Sequence, residues 1–495
     1  MATRPMSAVD AAWYHIDGPV NLATVTGVLL TRKPLDFEKV KAVYRERLAP
    51  FARFRQRVVE RGFPIATPHW QDVPHFEIDH NLHHVALPAP YDLAALTALI
   101  EDLASTPLDR ERPLWQVHVI DGVARGSALV MRFHHCIADG TAGMAIMRQI
   151  FDTRPVARIR PAAASLAAAT PADATEAGLI DRLFAPAVEI VAGSVKALRS
   201  GLDSALALAA HPEGVLDRAA VVLDGAGMLV GELLKKPDPR SPLKGEFGLR
   251  KRVAWSAPVA LQDIRAIGAP AEAKINDVLV AGMTGALRAY LRRRGVDVAH
   301  TTVRAMVPVD LRPPERAGEL GNEFGLVILE LAVRNRDPWQ RLRVTKARMD
   351  ALKHSPEAAA ILTLFNLFGR GPKLVEDVAV DLFGSKASVV MTNVAGPKQT
   401  LYLAGVPIDR VMFWVPHPGR QLGMGISILS YNGSASLAVI ADAGLVPDPE
   451  TITEQFNREI ARMLDDVRTK GPSVAAAKSA RSGQPARRPR AQKTP

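Results

Sequence analysis

SALVMRFHHCIADGTAGMAIMRQIF, residues 127–151, changes character twice. It opens as an apolar strand and breaks at His134-His135-Cys136-Ile137-Ala138-Asp139-Gly140. It then resumes with Met144, Met147, Ile150 and Phe151 at helical spacing. Strand side chains alternate between faces, so the two histidines are expected to point opposite ways, one into a cleft and one into the body. Asp139 stands where the next helix wants an N-cap, and Gly140 and Thr141 open its first turn, with Gly140 permitting a tight backbone approach. The layout suits acid–base chemistry. Imidazole titrates nearest neutrality and can accept and return a proton, and helix N-terminal amides just beyond it favour developing negative charge. One histidine at a strand end is ordinarily a packing residue; the spaced set of His134, His135, Asp139 and Gly140 points to a site. Cys136 invites a thiol-acyl alternative. Strand alternation turns it away from His135, and it reads as a small packed apolar residue.

A chain of 495 residues exceeds what one core usually serves, which predicts two domains. The composition, 48% hydrophobic and 23% charged, is that of a globular protein. The single cysteine excludes an internal disulfide and suits a reducing cytosol. The N-terminal MATRPMSAVDAAWYHIDG lacks a secretory apolar core, and no uncharged apolar run reaches about 18 residues, so no transmembrane helix is predicted. Net charge is +11, and seven Lys/Arg without an acidic residue fall between Lys470 and the C-terminus. A basic tail beside apolar helices fits an anionic lipid surface or an anionic ligand. Nucleic acid is unsupported, for there is no zinc spacing, RNA-binding aromatic motif or basic recognition helix.

Working outward, residues 1–155 read as a first α/β unit. Strands are expected at Thr24–Leu30, Phe54–Val59 and Trp115–Ile120, with helices at 36–48 and 92–103. Asp121-Gly122 followed by Gly126 reads as the hairpin turn before the motif strand. The histidines of Asp79-His80 and His83-His84 match no usual ligand spacing, so no metal site is expected. Residues 156–245 form an Ala-rich loop and a long helical connector; packing on the two domains explains its apolar face better than a membrane anchor does. Residues 246–468 read as a second α/β unit. Its strands are expected at 252–255, 303–309, 325–333, 388–392, 411–415, 425–431 and 436–441, with helices at 261–267, 276–294, 339–352, onward to about 382, and at 450–467. Asn276 is the expected N-cap of the helix it opens, with Asp277 in the first turn, and capping ranks above a substrate-binding role for the pair. Residues 469–495 lack the apolar content to order themselves.

HHCIADG resembles the HHxxxDG signature of the chloramphenicol acetyltransferase-like, or condensation-type, acyltransferases. Other segments are similar to those of the bacterial wax ester synthase/diacylglycerol acyltransferase family. These are Pro113-Leu114-Trp115, Asn276-Asp277, Pro308-Val309-Asp310-Leu311-Arg312 with Gly321-Asn322 after it, and Thr392-Asn393-Val394-Ala395-Gly396-Pro397. The resemblance runs from about Met6 to about Val467. Lys274-Ile275 and Ala395 depart from the usual residues, and neither touches the signature.

The resemblance implies two acetyltransferase-like subdomains facing across a central tunnel. It implies acyl transfer from acyl-CoA to the hydroxyl of diacylglycerol or a long-chain alcohol, giving triacylglycerol or wax ester, with no bound cofactor or metal. The second histidine, His135, would be the general base, and His134 a packed neighbour. Asp139 would pair with an arginine, for which Arg312 is the candidate. Asn393, and behind it Thr392, would offer a polar contact to the oxyanion or to coenzyme A; TNVAGP reads equally well as a strand-ending turn. The expected location is the cytoplasm, with peripheral contact to the inner face of the plasma membrane or to lipid inclusions. The rival readings are a condensation-type enzyme acting on a carrier-bound acyl group or a polyketide alcohol, and a non-catalytic protein that coats lipid droplets. No carrier domain lies in the chain, and the plant-type DFGWG segment is missing.

Overall fold

A computed structural model describes residues 3–60, 67–155, 237–310, 312, 316, 319–352, 384–417 and 421–470. The connector expected over 156–245 and the tail over 469–495 therefore lie outside the described residues except at their ends, as do the helices expected between 353 and 382.

Two large mixed sheets organise the molecule. In the first, the strands run Tyr402–Leu403, Val406–Trp414, Thr24–Thr31, Gly126–His134, Trp115–Val123, Leu82–Ala86. In the second they run Phe324–Leu331, Val303–Asp310, Val389–Ala395, Met424–Tyr431, Ser434–Asp442, Lys251–Trp255, with Val259–Ala260 also on Ser434–Asp442. A three-stranded sheet of Thr3–Pro5, His69–Asp72 and Gln56–Val59 lies beside them.

The second sheet is built on the helix Ile275–Arg293, which buries every residue from Asn276 to Leu287. Leu279, Val280, Met283, Leu287 and Leu291 enter one core with the strand residues Ala305, Val307 and Val309, and with Phe456 and Ile460 of the closing helix Glu450–Lys470. Each such aliphatic side chain contributes about 1.5–3 kcal/mol on burial, and truncating Leu287 to Ala would cost about 2–5 kcal/mol.

Three local expectations need correction. First, Asp121-Gly122 is not the hairpin turn. The register shifts between Asp121 and Val123, with Gly122 at φ +83°, and the turn is Ala124-Arg125, where Ala124 takes φ +51°. The Asp-Gly pair makes a bulge because the strands stay paired to Val123 and Gly126. Second, the helix expected to start at Asn276 starts at Ile275. Lys274 occupies the cap position, and the Asp277 carboxylate accepts its amide at 2.8 Å. Asn276 faces the core instead of capping.

Third, the strand placed within the second unit belongs to the first sheet. Val406–Trp414 pairs antiparallel with Thr24–Thr31, Val411 opposite Leu29 and Trp414 opposite Thr26. Its residues are apolar on both faces: Ile408 and Val411 pack into one cluster, Met412 and Trp414 into another. A strand buried on both sides must lie inside a sheet, and this one covers what would be an open edge. The halves 1–155 and 246–468 are thus interlocked. A single cluster holds Cys136, Ile137 and Ala138 together with Met306, Phe324, Val390 and Leu429.

Candidate active site

The motif strand ends at His134, which pairs with Thr24, and His135 opens the turn that leads to the helix Gly140–Ile150. The two rings part because the chain turns after His134. His134 is buried, accepts the Cys136 amide at Nδ1 (3.2 Å), and places Nε2 3.7 Å from Asp17 Oδ2. Burial opposes the Asp17 charge, but His134, the Ala23 amide at 2.7 Å and Arg110 at 3.0 Å together bring its pKa below the ordinary value.

His135 faces a different set of groups. Its ring stacks on Trp13 at 4.0 Å with a 13° tilt, and Phe324 lies 5.8 Å away. Its amide donates to Ala23 O at 2.7 Å. Nδ1 lies 3.0 Å from Asn322 Oδ1. Burial, only partly opposed by Asp139 and Asn322, pushes its pKa down to about 4, so the imidazole is neutral near pH 7. The residue keeps 9% of its surface.

Asp139 caps its helix through the Ala142 amide at 2.9 Å. It also takes Arg312 in a two-pronged pair, at 2.7 and 3.2 Å, with both side chains almost wholly buried. Burial works against the Arg312 charge; Asp139, Asp310 and Glu323 more than offset it and raise its pKa. The segment around Gly321 then lies along the motif loop. Gly321 N–H donates to Ile137 O at 3.1 Å, Asp139 N–H to Gly321 O at 3.3 Å, and Glu323 N–H to Asp139 Oδ2 at 3.1 Å. Gly321 sits at φ +107°, a conformation open to glycine and hardly to any other residue.

Asn393 and Thr392 fall on opposite faces of Val389–Ala395. Val389 and Met391 point into the core around the Ile275–Arg293 helix, and Asn393 shares their face, donating its amide to Asn276 Oδ1. Val390 and Val394 pack with the motif loop, and the Cβ of a residue at Gly140 would lie 3.9 Å from Val394. Thr392 belongs to this second face, beside Ser427 in the parallel register. Thr392, not Asn393, is therefore the one of the pair turned toward the first sheet. Asn276 and Asp277 serve the helix start and the Asn393 contact, away from that face.

The Cys136 thiol is fully buried, and burial raises its pKa far above the usual thiol value, which keeps it protonated and without nucleophilic character. His84 is engaged by Asp121 at 2.7 Å and the His83 ring lies tilted against His118 at 4.8 Å, so the early histidines take separate partners. Among the described residues no group of His, Cys, Asp and Glu is arranged to hold a metal ion, and no helix is long and apolar enough to cross a membrane.

Three residues of the site escaped the sequence reading: Asp10, Trp13 and Asn322. Asp10 and Trp13 are three apart on the helix Ala8–Ile16 and so share a face. Ser7-x-x-Asp10 marks where that helix starts, and Ser7 accepts the Asp10 amide at 3.1 Å. Nothing in the spacing connects it to a residue more than three hundred positions on. Asn322 entered the resemblance as a marker with no role attached.

The sequence pattern of the wax ester synthase/diacylglycerol acyltransferase catalytic domain matches residues 6–279, and that of the WS/DGAT C-terminal domain matches residues 320–464. A probable diacylglycerol O-acyltransferase of Mycobacterium tuberculosis H37Rv is 28% identical over 473 residues, covering 93% of this chain and 95% of its own. Among solved structures, the wax ester synthase/diacylglycerol acyltransferase from Marinobacter aquaeolei VT8 has TM-score 0.62 at 20% identity, over 93% of this chain and 98% of its own. The first condensation domain of the calcium-dependent antibiotic synthetase has TM-score 0.57 at 16% identity, over 96% of this chain and 98% of its own. The two-subdomain condensation-type fold is shared with both, and with both of its domain patterns present the chain belongs to the wax ester synthase/diacylglycerol acyltransferase family.

Proposed function

We propose that the chain transfers a fatty acyl group from acyl-CoA to the hydroxyl of diacylglycerol or a long-chain alcohol, with His135 as the general base. The observation that carries this reading is a neutral imidazole with Nδ1 engaged by Asn322, held at the break between a strand and a helix N-terminus. Among the described residues no hydrogen bond reaches Nε2. Nε2 takes the proton of the acceptor hydroxyl as its oxygen forms a bond to the thioester carbonyl carbon. The tetrahedral oxyanion collapses, the C–S bond breaks, and the imidazolium returns the proton to the thiolate of coenzyme A. No acyl-enzyme is formed. Proton transfer of this kind contributes about 10²- to 10⁴-fold, and alignment of the two substrates in a tunnel between the subdomains contributes the remainder.

His134 supports the turn, Gly140 opens the helix, and the Asp139–Arg312 pair holds the loop against the second half. Thr392 is the better placed hydroxyl for the oxyanion or the thioester, whereas Asn393, Asn276 and Asp277 are structural. The starter condensation domain of rhizomide synthetase, solved in complex with C8-CoA, shares the fold at TM-score 0.53 and supports an acyl-CoA donor. A lipid acceptor and the basic C-terminal sequence favour work at the periphery of a membrane or lipid inclusion.

The test is release of free thiol from palmitoyl-CoA by purified protein, with diacylglycerol or hexadecanol as acceptor. Thiol release that depends on acceptor, and its loss by at least about 10²-fold in His135→Ala, is the expected result. Normal turnover by that variant removes His135 from the mechanism.

A further inference from the structure

We infer that Asp10 and Asn322 are positioning residues that hold His135 in the Nδ1–H tautomer and so present the Nε2 lone pair to the substrate hydroxyl. The inference rests on the general-base reading of His135. An asparagine side chain can face either way, and here its neighbours decide. Asn322 Nδ2 lies 2.8 Å from Asp10 Oδ1 and 2.8 Å from the carbonyl oxygen of His135. The peptide carbonyl can only accept. Asp10 Oδ1 already accepts the Asn322 backbone amide at 3.0 Å, so it too acts as an acceptor. The Asn322 nitrogen must face both, since a flipped amide would set oxygen against oxygen twice. Its Oδ1 is then the atom 3.0 Å from His135 Nδ1. An amide oxygen has no proton to give, so Nδ1 carries the hydrogen and Nε2 the lone pair.

The chain Asp10–Asn322–His135 crosses the interlocked halves. Asp10 comes from the first helix, Asn322 from the segment after Gly321, and His135 from the motif turn. All three are buried, where a broken polar chain costs more than in water. The neutral amide between carboxylate and ring matters chemically. A carboxylate on Nδ1 would favour imidazolium and raise the pKa of the base, whereas an amide orients the ring with little change in its basicity. Other titratable and charged groups facing this chain are Asp139 and His134, beside His135, and Arg53 and Cys136, beside Asp10.

The experiment combines histidine-selective ¹⁵N NMR with steady-state kinetics on Asn322→Ala, Asp10→Asn, Asn322→Asp and the reciprocal double variant Asp10→Asn/Asn322→Asp. In the unaltered protein the His135 signals should show a protonated Nδ1 and an unprotonated Nε2. Asn322→Ala should mix the tautomers and lower kcat by about 10²-fold or more with KM little changed, and Asp10→Asn should do the same to a smaller extent. The reciprocal variant places the carboxylate on the ring. It should recover much of kcat and move the acid limb of kcat/KM upward by about a pH unit or more, a shift that a merely structural role would not produce. An unchanged tautomer in Asn322→Ala, or an unmoved acid limb in an active reciprocal variant, overturns the inference. A tautomer that changes while turnover does not supports the positioning and instead overturns the general-base reading.

Discussion

The Asp139–Arg312 pair is the most exposed to refutation of the contacts that join the motif loop to the second half. Replacing Arg312 with Met keeps an unbranched apolar stem and removes the guanidinium with its charge. Asp139 would retain the Ala142 and Glu323 amides but lose both guanidinium contacts, and Gly321 O would lose its guanidinium donor at 3.0 Å while keeping the Asp139 amide. The side chains are only 2% and 6% exposed, so little water is at hand to compensate. Stranding one partner of such a pair costs about 3–5 kcal/mol. Asp139→Asn preserves helix capping, because Asn is as good an N-cap, but strands Arg312 beside Asp310 and Glu323 at a smaller cost. The double variant removes both charges and should fall short of the summed single losses by about 2 kcal/mol or more, as expected for directly coupled groups. Denaturant melts of the four proteins give the cycle. Thiol release measured well below the melting point should fall with Arg312→Met, since the loop carrying His135 then loses its ion pair with the second half. Additivity within about 0.5 kcal/mol, or a single-variant loss below about 1 kcal/mol, would refute the argument that this pair is buried and coupled.

Burial holds His135 near pKa 4 and His118 and His417 near 3, against about 6.5 in an unfolded chain. Above about pH 6.5 neither state binds these protons and stability is unaffected; below it the unfolded chain takes up protons the native state refuses, and stability falls by about 1.4 kcal/mol per pH unit for each histidine. The melting temperature should therefore drop steeply from pH 6.5 toward pH 5, and His417→Gln should flatten the slope; a flat profile would show these rings to be less buried than described. Thr392→Val should reduce kcat with little change in stability, whereas Asn393→Ala should cost about 1–3 kcal/mol of stability through the stranded Asn276 amide and leave kcat in the surviving folded protein close to normal. The opposite assignment would mean that the strand faces are reversed.

Most of the secondary structure was legible in the chain because it follows from local periodicity. The helices from Phe37, Leu93 and Pro338, and the strands from Thr24, Val303, Met424 and Ser434, begin within two residues of where their apolar patterns change. Errors gathered at turns and caps and in short elements: the helix Ala8–Ile16 and the strand Leu82–Ala86 carry too little periodic pattern to be read. Asp121-Gly122 has the composition of a turn and makes a bulge, because cross-strand pairing and not dipeptide preference sets the register. Asn276 has the chemistry of a cap, and its neighbour Asp277 does that work.

By itself the sequence determined that this chain is α/β, that a strand stops at paired histidines before a helix capped by Asp139, and which family carries that signature. Those features are local, written in residues a few positions apart. Only the tertiary structure decided that Val406–Trp414 completes the first sheet, that Thr392 and not Asn393 faces it, and that Asp10, Trp13 and Asn322 surround His135. Each of these joins residues separated by more than one hundred positions, and such meetings depend on how two sheets interlock, for which no spacing along the chain is a signal.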